Sequence, residues 1–183
     1  MILCGIDEAG RGCVAGDLVI AGAVLHKEIE ELNDSKKLTK KKREELFEII
    51  IKNADYKIVS FSALEVDELG ISQCLHLGIK TIKKSVKADE YLMDGNSTFK
   101  NEGVKTEVKA DAKYPEVSAA SILAKVTKDR NLIKLGAEFP NFSFSSHQGY
   151  GTKKHIEEIQ KYGLTPLHRK SFKIKSIEQP TLF

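Results

Sequence analysis

The chain has 183 residues, of which 41% are apolar and 30% are charged. That length and apolar content suffice for one well-buried domain and argue against two. The 29 basic and 26 acidic residues leave a net charge of only +3, so the overall charge is a weak indication of a nucleic-acid partner. We expect one domain over residues 1–175 and a short tail over residues 176–183.

Cysteine usage and hydropathy exclude several other classes. The three cysteines form no CxxC pair, which argues against a disulfide framework and against a thiolate zinc site. The longest apolar run, residues 18–25, is far too short to span a bilayer, and the N-terminus does not resemble a signal peptide. We therefore expect a soluble cytoplasmic protein with no membrane partner, and a monomer because no heptad pattern is present.

The first predicted element is an apolar strand that leads into two carboxylates and a turn, with the sequence ILCGIDEAGRG. Burial of unpaired carboxylates is unfavourable, so Asp7 and Glu8 either begin a solvated loop or meet cations at the strand end, where the backbone turns. Gly10 and Gly12 allow a positive φ or the close approach of a ligand, and Arg11 carries a planar fork suited to phosphate oxygens.

Alternating strand and helix patterns follow along the chain. Strands are predicted at 18–25, 56–63, 90–93 and 105–109, and helices at 39–53, at 71–86, from about 115, at 152–162 and from 166. The first two strands are separated by the glycine-rich turn and therefore predict an antiparallel hairpin. An initial hairpin followed by alternating elements is typical of an α/β domain with a mixed sheet.

Two further carboxylates follow predicted strands. Asp94 stands between an apolar strand and Gly95, and Asp111 comes just after the next strand. A carboxylate at such a position, taken alone, is more often an ordinary turn residue. Together with Asp7 and Glu8 they make an all-oxygen set of the kind that Mg²⁺ and Mn²⁺ prefer, and two such ions can support phosphodiester hydrolysis.

Basic residues form two blocks, one over residues 36–43 and one over residues 168–175. Such blocks are either solvated faces or a track for a phosphate backbone, since lysine and arginine supply the sequence-independent part of nucleic-acid affinity. Asp34 and Asp129 fit a turn or cap residue and an ion-pair partner on a helix surface, respectively.

Six segments resemble the ribonuclease HII family in order and spacing. They are DEAGRG at 7–12, DSKKL at 34–38, MDGN at 93–96, ADAKYPEVSAASILAKVTKDR at 110–130, HQGYGTKKH at 147–155 and LHRKSF at 167–172. The resemblance implies the ribonuclease H-like fold, which is a central mixed β-sheet flanked by helices with a helical C-terminal part. It also implies that residues 1–175 form a catalytic domain.

The same resemblance implies an activity and assigns residues to it. The family hydrolyses the RNA strand of RNA–DNA hybrids and cuts 5′ of ribonucleotides embedded in duplex DNA, which leaves 3′-hydroxyl and 5′-phosphate ends. The implied catalytic and metal-binding residues, for Mn²⁺ or Mg²⁺, are Asp7, Glu8, Asp94 and Asp111. The implied substrate-binding residues are Gly10, Arg11, Gly12, Lys36 and Tyr150, of which the tyrosine would pack on the sugar beside the ribonucleotide.

Three positions depart from the family pattern. Cys13 and Asp17 stand where proline is common, and Ala110 stands where glycine is usual. The first two are expected to soften the turn after Gly12. No departure removes a functional group, so we expect them to bear on rate and metal preference rather than on activity.

The last five residues, QPTLF, resemble the peptide by which bacterial repair proteins dock on the replication sliding clamp. Gln179 would be the polar anchor, and Leu182 and Phe183 the apolar ones. Packing of the tail on its own domain is the alternative.

Two other functions compete with the endonuclease. A nucleic-acid or clamp-binding module without catalysis would use the basic blocks and the tail, but it gives no reason for four carboxylates. Another two-metal nuclease, such as an exonuclease, would share the acids but could not begin on a substrate with blocked ends.

Overall fold

A computed structural model describes residues 1–32 and 38–174. Lys36 and the tail residues Gln179, Leu182 and Phe183 lie outside the described residues, so their assigned roles stay predictions. Five strands form one sheet: β1 (Leu3–Ala9), β2 (Leu18–Leu25), β3 (Ala54–Phe61), β4 (Glu90–Asp94) and β5 (Val104–Glu107).

The sheet has the order β3-β2-β1-β4-β5, with β1 at its centre. β2 pairs antiparallel with both β1 and β3, whereas β4 and β5 run parallel to β1 and to each other. The predicted hairpin and mixed sheet are therefore confirmed. Because β1 and β4 are parallel neighbours, their C-terminal ends lie at the same edge of the sheet.

The described residues also form six α-helices: α1 (Lys40–Asn53), α2 (Ala63–Leu69), α3 (Ile71–Ser85), α4 (Pro115–Gly136), α5 (Phe144–His147) and α6 (Lys153–Tyr162). Thr39 and Thr152 cap α1 and α6 by accepting backbone N–H donors. Ser62 and Glu65 form a capping box at the start of α2. Pro115 opens α4 at a position where the missing N–H has no intrahelical partner to lose.

Each face of the sheet carries its own apolar layer. On one face, Cys4 and Ile6 of β1 pack with Leu75 and Ile79 of α3. On the other face, α4 covers β1 and β2, and α1 packs against α4 and β3. α4 lies directly on β1 because Gly5 has no side chain: a Cβ there would be 2.2 Å from the backbone of Val117.

Two local predictions need correction. The strand predicted over 56–63 ends at Phe61, and the capping box and helix α2 that follow it were not predicted. The helix predicted from about residue 115 is found as α4, which begins at Pro115 and runs to Gly136. The helix predicted from Pro166 is wrong: Pro166 and Leu167 form a turn, and His168 then pairs with Ala15 as an isolated β-bridge.

Within the described part of the chain, no helix has the combined length and apolar character needed to cross a membrane.

Candidate active site

Asp7 and Glu8 lie on extended backbone inside β1, opposite Ala21 and Ile20 of β2. The expectation that both sit where the backbone turns is therefore wrong, because β1 continues to Ala9. Consecutive strand side chains point to opposite faces, and Asp7 faces α4. The β1–β4 pairing ends at Ile6, so the acids lie just past the last paired residue, where the two strands no longer hydrogen-bond.

Asp7 is buried among like charges. Its pKa is raised to about 8, first by burial and then by the neighbouring Glu8, with a smaller contribution from Asp94. The Ser121 hydroxyl and the Glu8 N–H, at 2.8 Å, both donate to the Asp7 carboxylate and oppose this shift. These two hydrogen bonds lower the pKa by less than burial raises it. The ionised form of Asp7 therefore lacks a positive charge that would compensate it.

The Glu8 carboxylate is also incompletely compensated by positive charge. Burial raises its pKa, Asp94 adds to the shift, and Arg11 opposes it. The Arg11 Nη1 atom lies 3.5 Å from Glu8 Oε1, which is a long contact for an ion pair. Within the described residues, the other oxygen of Glu8, Oε2, is buried and has no hydrogen-bond partner. An unpartnered buried carboxylate oxygen is unfavourable, and a cation beside it would offset that cost.

Asp94 is the last residue of β4 and stands beside the acids of β1. Its Oδ1 accepts a 2.7 Å hydrogen bond from the Ala110 N–H, which draws the 3-10 turn Ala110–Ala112 up to the end of the strand. Asp111 lies on that turn and is buried. Ala110 is also buried, and its backbone does not need a positive φ, so alanine fits where the family usually has glycine.

The donor set fits a hard divalent cation. It consists of carboxylate oxygens, includes an acceptor with no partner in the described structure, and carries the charge repulsion that a cation would relieve. Over residues 1–32 and 38–174, no three Asp, Glu, His or Cys side chains are already arranged around one point as metal ligands. The carboxylates therefore supply the right chemistry without a finished coordination sphere.

The turn after β1 places bare backbone beside these acids. Gly10 has φ +89°, and a Cβ there would lie 2.5 Å from the Asp17 carbonyl oxygen and 2.9 Å from the Lys128 side chain. Gly12 has nothing within 4 Å of its absent Cβ, so its outer side is open. The Arg11 side chain is 55% exposed, and its guanidinium lies over the Phe99 ring. Gly10 thus allows the turn to pack closely against the rest of the protein, whereas Gly12 and Arg11 face outward.

Two later segments hold this turn in place. On one side, the Val14 and Ala15 N–H groups donate to the Gly149 carbonyl at 2.9 and 3.2 Å. On the other, the Gly16 N–H donates to the Leu167 carbonyl, and the Arg169 N–H donates to the Val14 carbonyl, both at 2.8 Å. The expected softening of the turn is not seen in its hydrogen bonding.

Two residues that depart from the family pattern, Cys13 and Asp17, are buried beside this turn. Cys13 is fully buried, with its Sγ 3.6 Å from Lys128 Nζ. Asp17 is also buried, and its Oδ2 accepts a 2.9 Å hydrogen bond from the Asn131 amide.

The second basic block divides into buried and exposed residues. Arg169 is 2% exposed, and its side chain donates to the carbonyl oxygens of Gly16 at 3.1 Å and Arg11 at 3.4 Å. His168 is equally buried, whereas Lys170 and Lys173 are exposed. The reading of this block as one phosphate track is therefore wrong for His168 and Arg169, which support the turn from inside.

Tyr150 lies next to the same turn, with its side chain partly open to solvent. Lys128 Nζ is 4.6 Å and Lys125 Nζ 5.3 Å from the centre of its ring, so two cations flank the aromatic face. Asp129 pairs with both lysines, at 3.0 Å and 3.3 Å. The predicted ion-pair role of Asp129 is confirmed, but the residue is buried and not on the helix surface.

The buried roles of Lys128 and Arg169 were not predicted from the sequence. The spacing contained a signal for the lysine, because Lys128 lies four residues after Ala124 and four before Leu132, on the buried side of α4. No comparable periodicity surrounds Arg169, since its partners are backbone carbonyls more than 150 residues away in the chain.

Comparisons with known proteins give one consistent result. The model of the family "Ribonuclease HII" matches residues 4–175. A protein named ribonuclease HII from Sulfurovum sp. (strain NBC37-1) is 59% identical over 181 residues, which cover 99% of this chain and 96% of the relative.

Solved structures agree with the family match. The chain is similar to a ribonuclease HII solved in complex with PCNA from Archaeoglobus fulgidus, with a TM-score of 0.83, 30% identity and coverage of 97% of this chain and 98% of that one. It shares its fold with Bst-RNase HIII in complex with Mn²⁺, with a TM-score of 0.71, 14% identity and coverage of 94% and 67%, respectively. The fold predicted from the sequence resemblance is thereby confirmed.

Proposed function

The chain belongs to the ribonuclease HII family, and from that premise we propose how it recognises and cuts its substrate. Membership makes it a ribonuclease H, an endonuclease that acts on RNA–DNA hybrids. The proposal adds a second substrate and a position of cutting. The enzyme hydrolyses duplex DNA on the 5′ side of an embedded ribonucleotide and leaves 3′-hydroxyl and 5′-phosphate ends.

The observation that carries the proposal is the pairing of uncompensated buried acids with open backbone. Asp7 and Glu8 lack positive charge, and the outward side of Gly12 lies a few residues away on the same turn. The first feature suits catalysis with cations, and the second suits close contact with a sugar-phosphate backbone. An embedded ribonucleotide differs from its neighbours only by a 2′-hydroxyl, which a polar backbone group can reach where no side chain intervenes.

Four carboxylates would hold the ions: Asp7, Glu8, Asp94 and Asp111. Bound Mn²⁺ or Mg²⁺, two ions in the active complex, would supply a nucleophilic water and stabilise charge on the phosphoryl oxygens. A structural neighbour of the same fold was solved with Mn²⁺, which supports a divalent ion. The ionised form of Asp7 is required for this role, and a cation is what would favour it.

The remaining residues of the proposed site bind and orient the substrate. Backbone groups of Gly10 and Gly12 would meet the ribose, and the exposed Arg11 fork would meet a phosphate. The Tyr150 ring would pack on the adjacent deoxyribose, held by the two lysines behind it. Lys36 is proposed as an additional phosphate contact.

The test uses a DNA duplex with one internal ribonucleotide and blocked ends, incubated with Mg²⁺ or Mn²⁺ beside an all-DNA duplex. We expect cutting only at the 5′ side of the ribonucleotide, and loss of cutting in Asp94→Asn. That variant keeps an oxygen for the Ala110 N–H and removes the charge. Asp55→Asn, on the exposed side chain of a β3 carboxylate, is the matched control.

Two outcomes would contradict the proposal. If the duplex is bound but remains uncut with either metal, the proposed cleavage at embedded ribonucleotides is wrong. Cutting that requires a free end supports the exonuclease alternative. The family match argues against the third candidate, a module that binds without catalysis.

The proposal extends to a partner and to the domain limits. The ribonuclease HII from Archaeoglobus fulgidus was solved in complex with PCNA, and the tail residues Gln179, Leu182 and Phe183 would bind a sliding clamp in this protein. Residues 1–175 would act as one catalytic domain, in a cytoplasmic monomer. Deletion of residues 179–183 should abolish clamp binding and leave hydrolysis of free substrate nearly unchanged; unaltered clamp binding would exclude the tail as the docking peptide.

A further inference from the structure

Three histidines lie buried beneath the proposed substrate-binding loop, and the proposed chemistry uses none of them. His147 and His155 stack with their ring centres 3.8 Å apart, and His155 Nε2 lies 2.9 Å from His168 Nε2. Phe142 and Phe144 surround the rings. We call His147, His155 and His168 the histidine layer.

The hydrogen-bond partners determine where the protons lie. The Thr165 N–H donates to His168 Nδ1 at 3.0 Å, so that nitrogen is bare and His168 Nε2 carries the proton. His155 Nδ1 lies 2.8 Å from the Tyr150 carbonyl, which can only accept, so His155 Nδ1 carries a proton. His155 Nε2 is then bare and accepts from His168 Nε2. Both rings are neutral, because a proton added at His155 Nε2 would face another N–H across 2.9 Å.

The His155–His168 hydrogen bond connects the two segments that hold the turn of residues 10–16. His155 binds the Tyr150 carbonyl, next to the Gly149 carbonyl that accepts from Val14 and Ala15. His168 lies between Leu167 and Arg169, whose backbones bind the other side of the turn. A single hydrogen bond beneath the turn therefore connects the two supports.

We propose that the His155–His168 hydrogen bond is a positioning element that sets the place of Tyr150 relative to Gly12 for recognition of an embedded ribonucleotide. The inference rests on the proposed substrate role of Tyr150. It treats the two histidines as positioning residues, because neither side chain reaches the open side of the turn. Both are at most 2% exposed.

Two substitutions of His168 separate the hydrogen bond from packing. His168→Asn keeps an acceptor for the Thr165 N–H and removes the donor to His155, whereas His168→Gln retains a donor near the position of Nε2. For a duplex with one ribonucleotide, we expect His168→Asn to raise KM about fivefold, with kcat within about twofold. His168→Gln should recover most of that loss. His26→Asn is the control, because His26 has a half-exposed side chain and lies just past the far end of β2.

Tyr150→Ala measures how much the substrate role of Tyr150 contributes. A raised KM in Tyr150→Ala together with equal KM values in the two His168 variants overturns the inference and leaves the proposed function in place. An unchanged KM in Tyr150→Ala overturns the substrate role of Tyr150 and the inference with it.

A measurement on the wild-type protein tests the geometry without any variant. ¹⁵N NMR of the imidazole groups at neutral pH should find His155 protonated at Nδ1 and His168 protonated at Nε2. Any other pair of tautomers overturns the proposed hydrogen bond, even where His168→Asn does not fold.

Discussion

The carboxylates at the end of β1 and the histidine layer are two buried clusters of titratable groups, and they are satisfied to opposite degrees. Burial and like charge raise the pKa of Asp7 to about 8, and Glu8 Oε2 has no partner in the described structure. In the histidine layer every ring nitrogen has a hydrogen-bond partner. A buried cluster whose polar groups lack partners is suited to bind a ligand, whereas a cluster whose hydrogen bonds are all made stabilises the local structure.

The largest expected effect comes from removing a charge in the unsatisfied cluster. Asp7→Asn should lower kcat by about a thousandfold, because a proposed cation ligand is lost. The same change should raise the free energy of unfolding of the metal-free protein by about 1 kcal/mol, because the folded protein no longer has to hold a buried carboxyl group whose ionised form is disfavoured by burial and by like charge. Single-turnover cleavage and urea unfolding in chelator measure the two effects.

The decisive result for Asp7→Asn is that kcat falls while the free energy of unfolding rises. Asp55→Asn, on an exposed carboxylate, should change neither quantity. If Asp7→Asn lost both activity and stability, Asp7 would be a structural residue and the contrast between the two clusters would fail.

Acid should act on the satisfied cluster next. Burial lowers the pKa of His155 and His168 to about 4 from an ordinary 6.5. Between these values the two histidines bind more protons in the unfolded chain than in the folded one, so their contribution to stability is complete above pH 6.5 and is lost as the pH decreases toward 4. Each histidine can contribute a loss of about 3 kcal/mol over that window.

Other charged groups near the histidine layer also enter this titration. His147 faces both rings, Glu158 accepts from His147 at 2.9 Å, and Lys154 lies close enough to lower the pKa of His147. Urea unfolding at steps from pH 7 to pH 4.5 measures the loss, and His168→Gln should flatten the curve by one histidine's share. The raised pKa of Asp7 gives the opposite slope over the same range, so the test is the difference between the wild-type and His168→Gln curves. A difference that stays constant from pH 7 to pH 4.5 would mean that the His168 ring is not held neutral.

The two regions also differ in how far the sequence predicts them. The strand-helix alternation and the presence of acids near the C-terminal ends of β1 and β4 were predictable because apolar periodicity and short motifs are local in the chain. The histidine layer was not, because the partners of His168 and Arg169 are set by folding: Ala15 and Gly16 pair with a segment about 150 residues later. The same pairing fixes His168 in a bridge with Ala15 directly after the turn at Pro166 and Leu167, and it explains why no helix begins at Pro166.

The turn between the two regions offers a matched pair of substitutions with the smallest expected effects. Gly10→Ala should lower the free energy of unfolding by about 2 kcal/mol or more, because φ is +89° and the Asp17 carbonyl oxygen would be 2.5 Å from the new Cβ. Gly12→Ala should change stability by less than about 0.5 kcal/mol, because the space there is open.

The substitution with the smaller effect on stability, Gly12→Ala, should have the more specific effect on activity. A Cβ at Gly12 would occupy the open side that the ribose is proposed to approach, so Gly12→Ala should raise KM for the single-ribonucleotide duplex while the fold stays intact. Steady-state kinetics on that duplex and on an RNA–DNA hybrid give the comparison. If Gly12→Ala bound and cut the duplex as the wild type does, recognition of the ribose would not depend on bare backbone at this turn, and the exposed Arg11 fork would be the group to test instead.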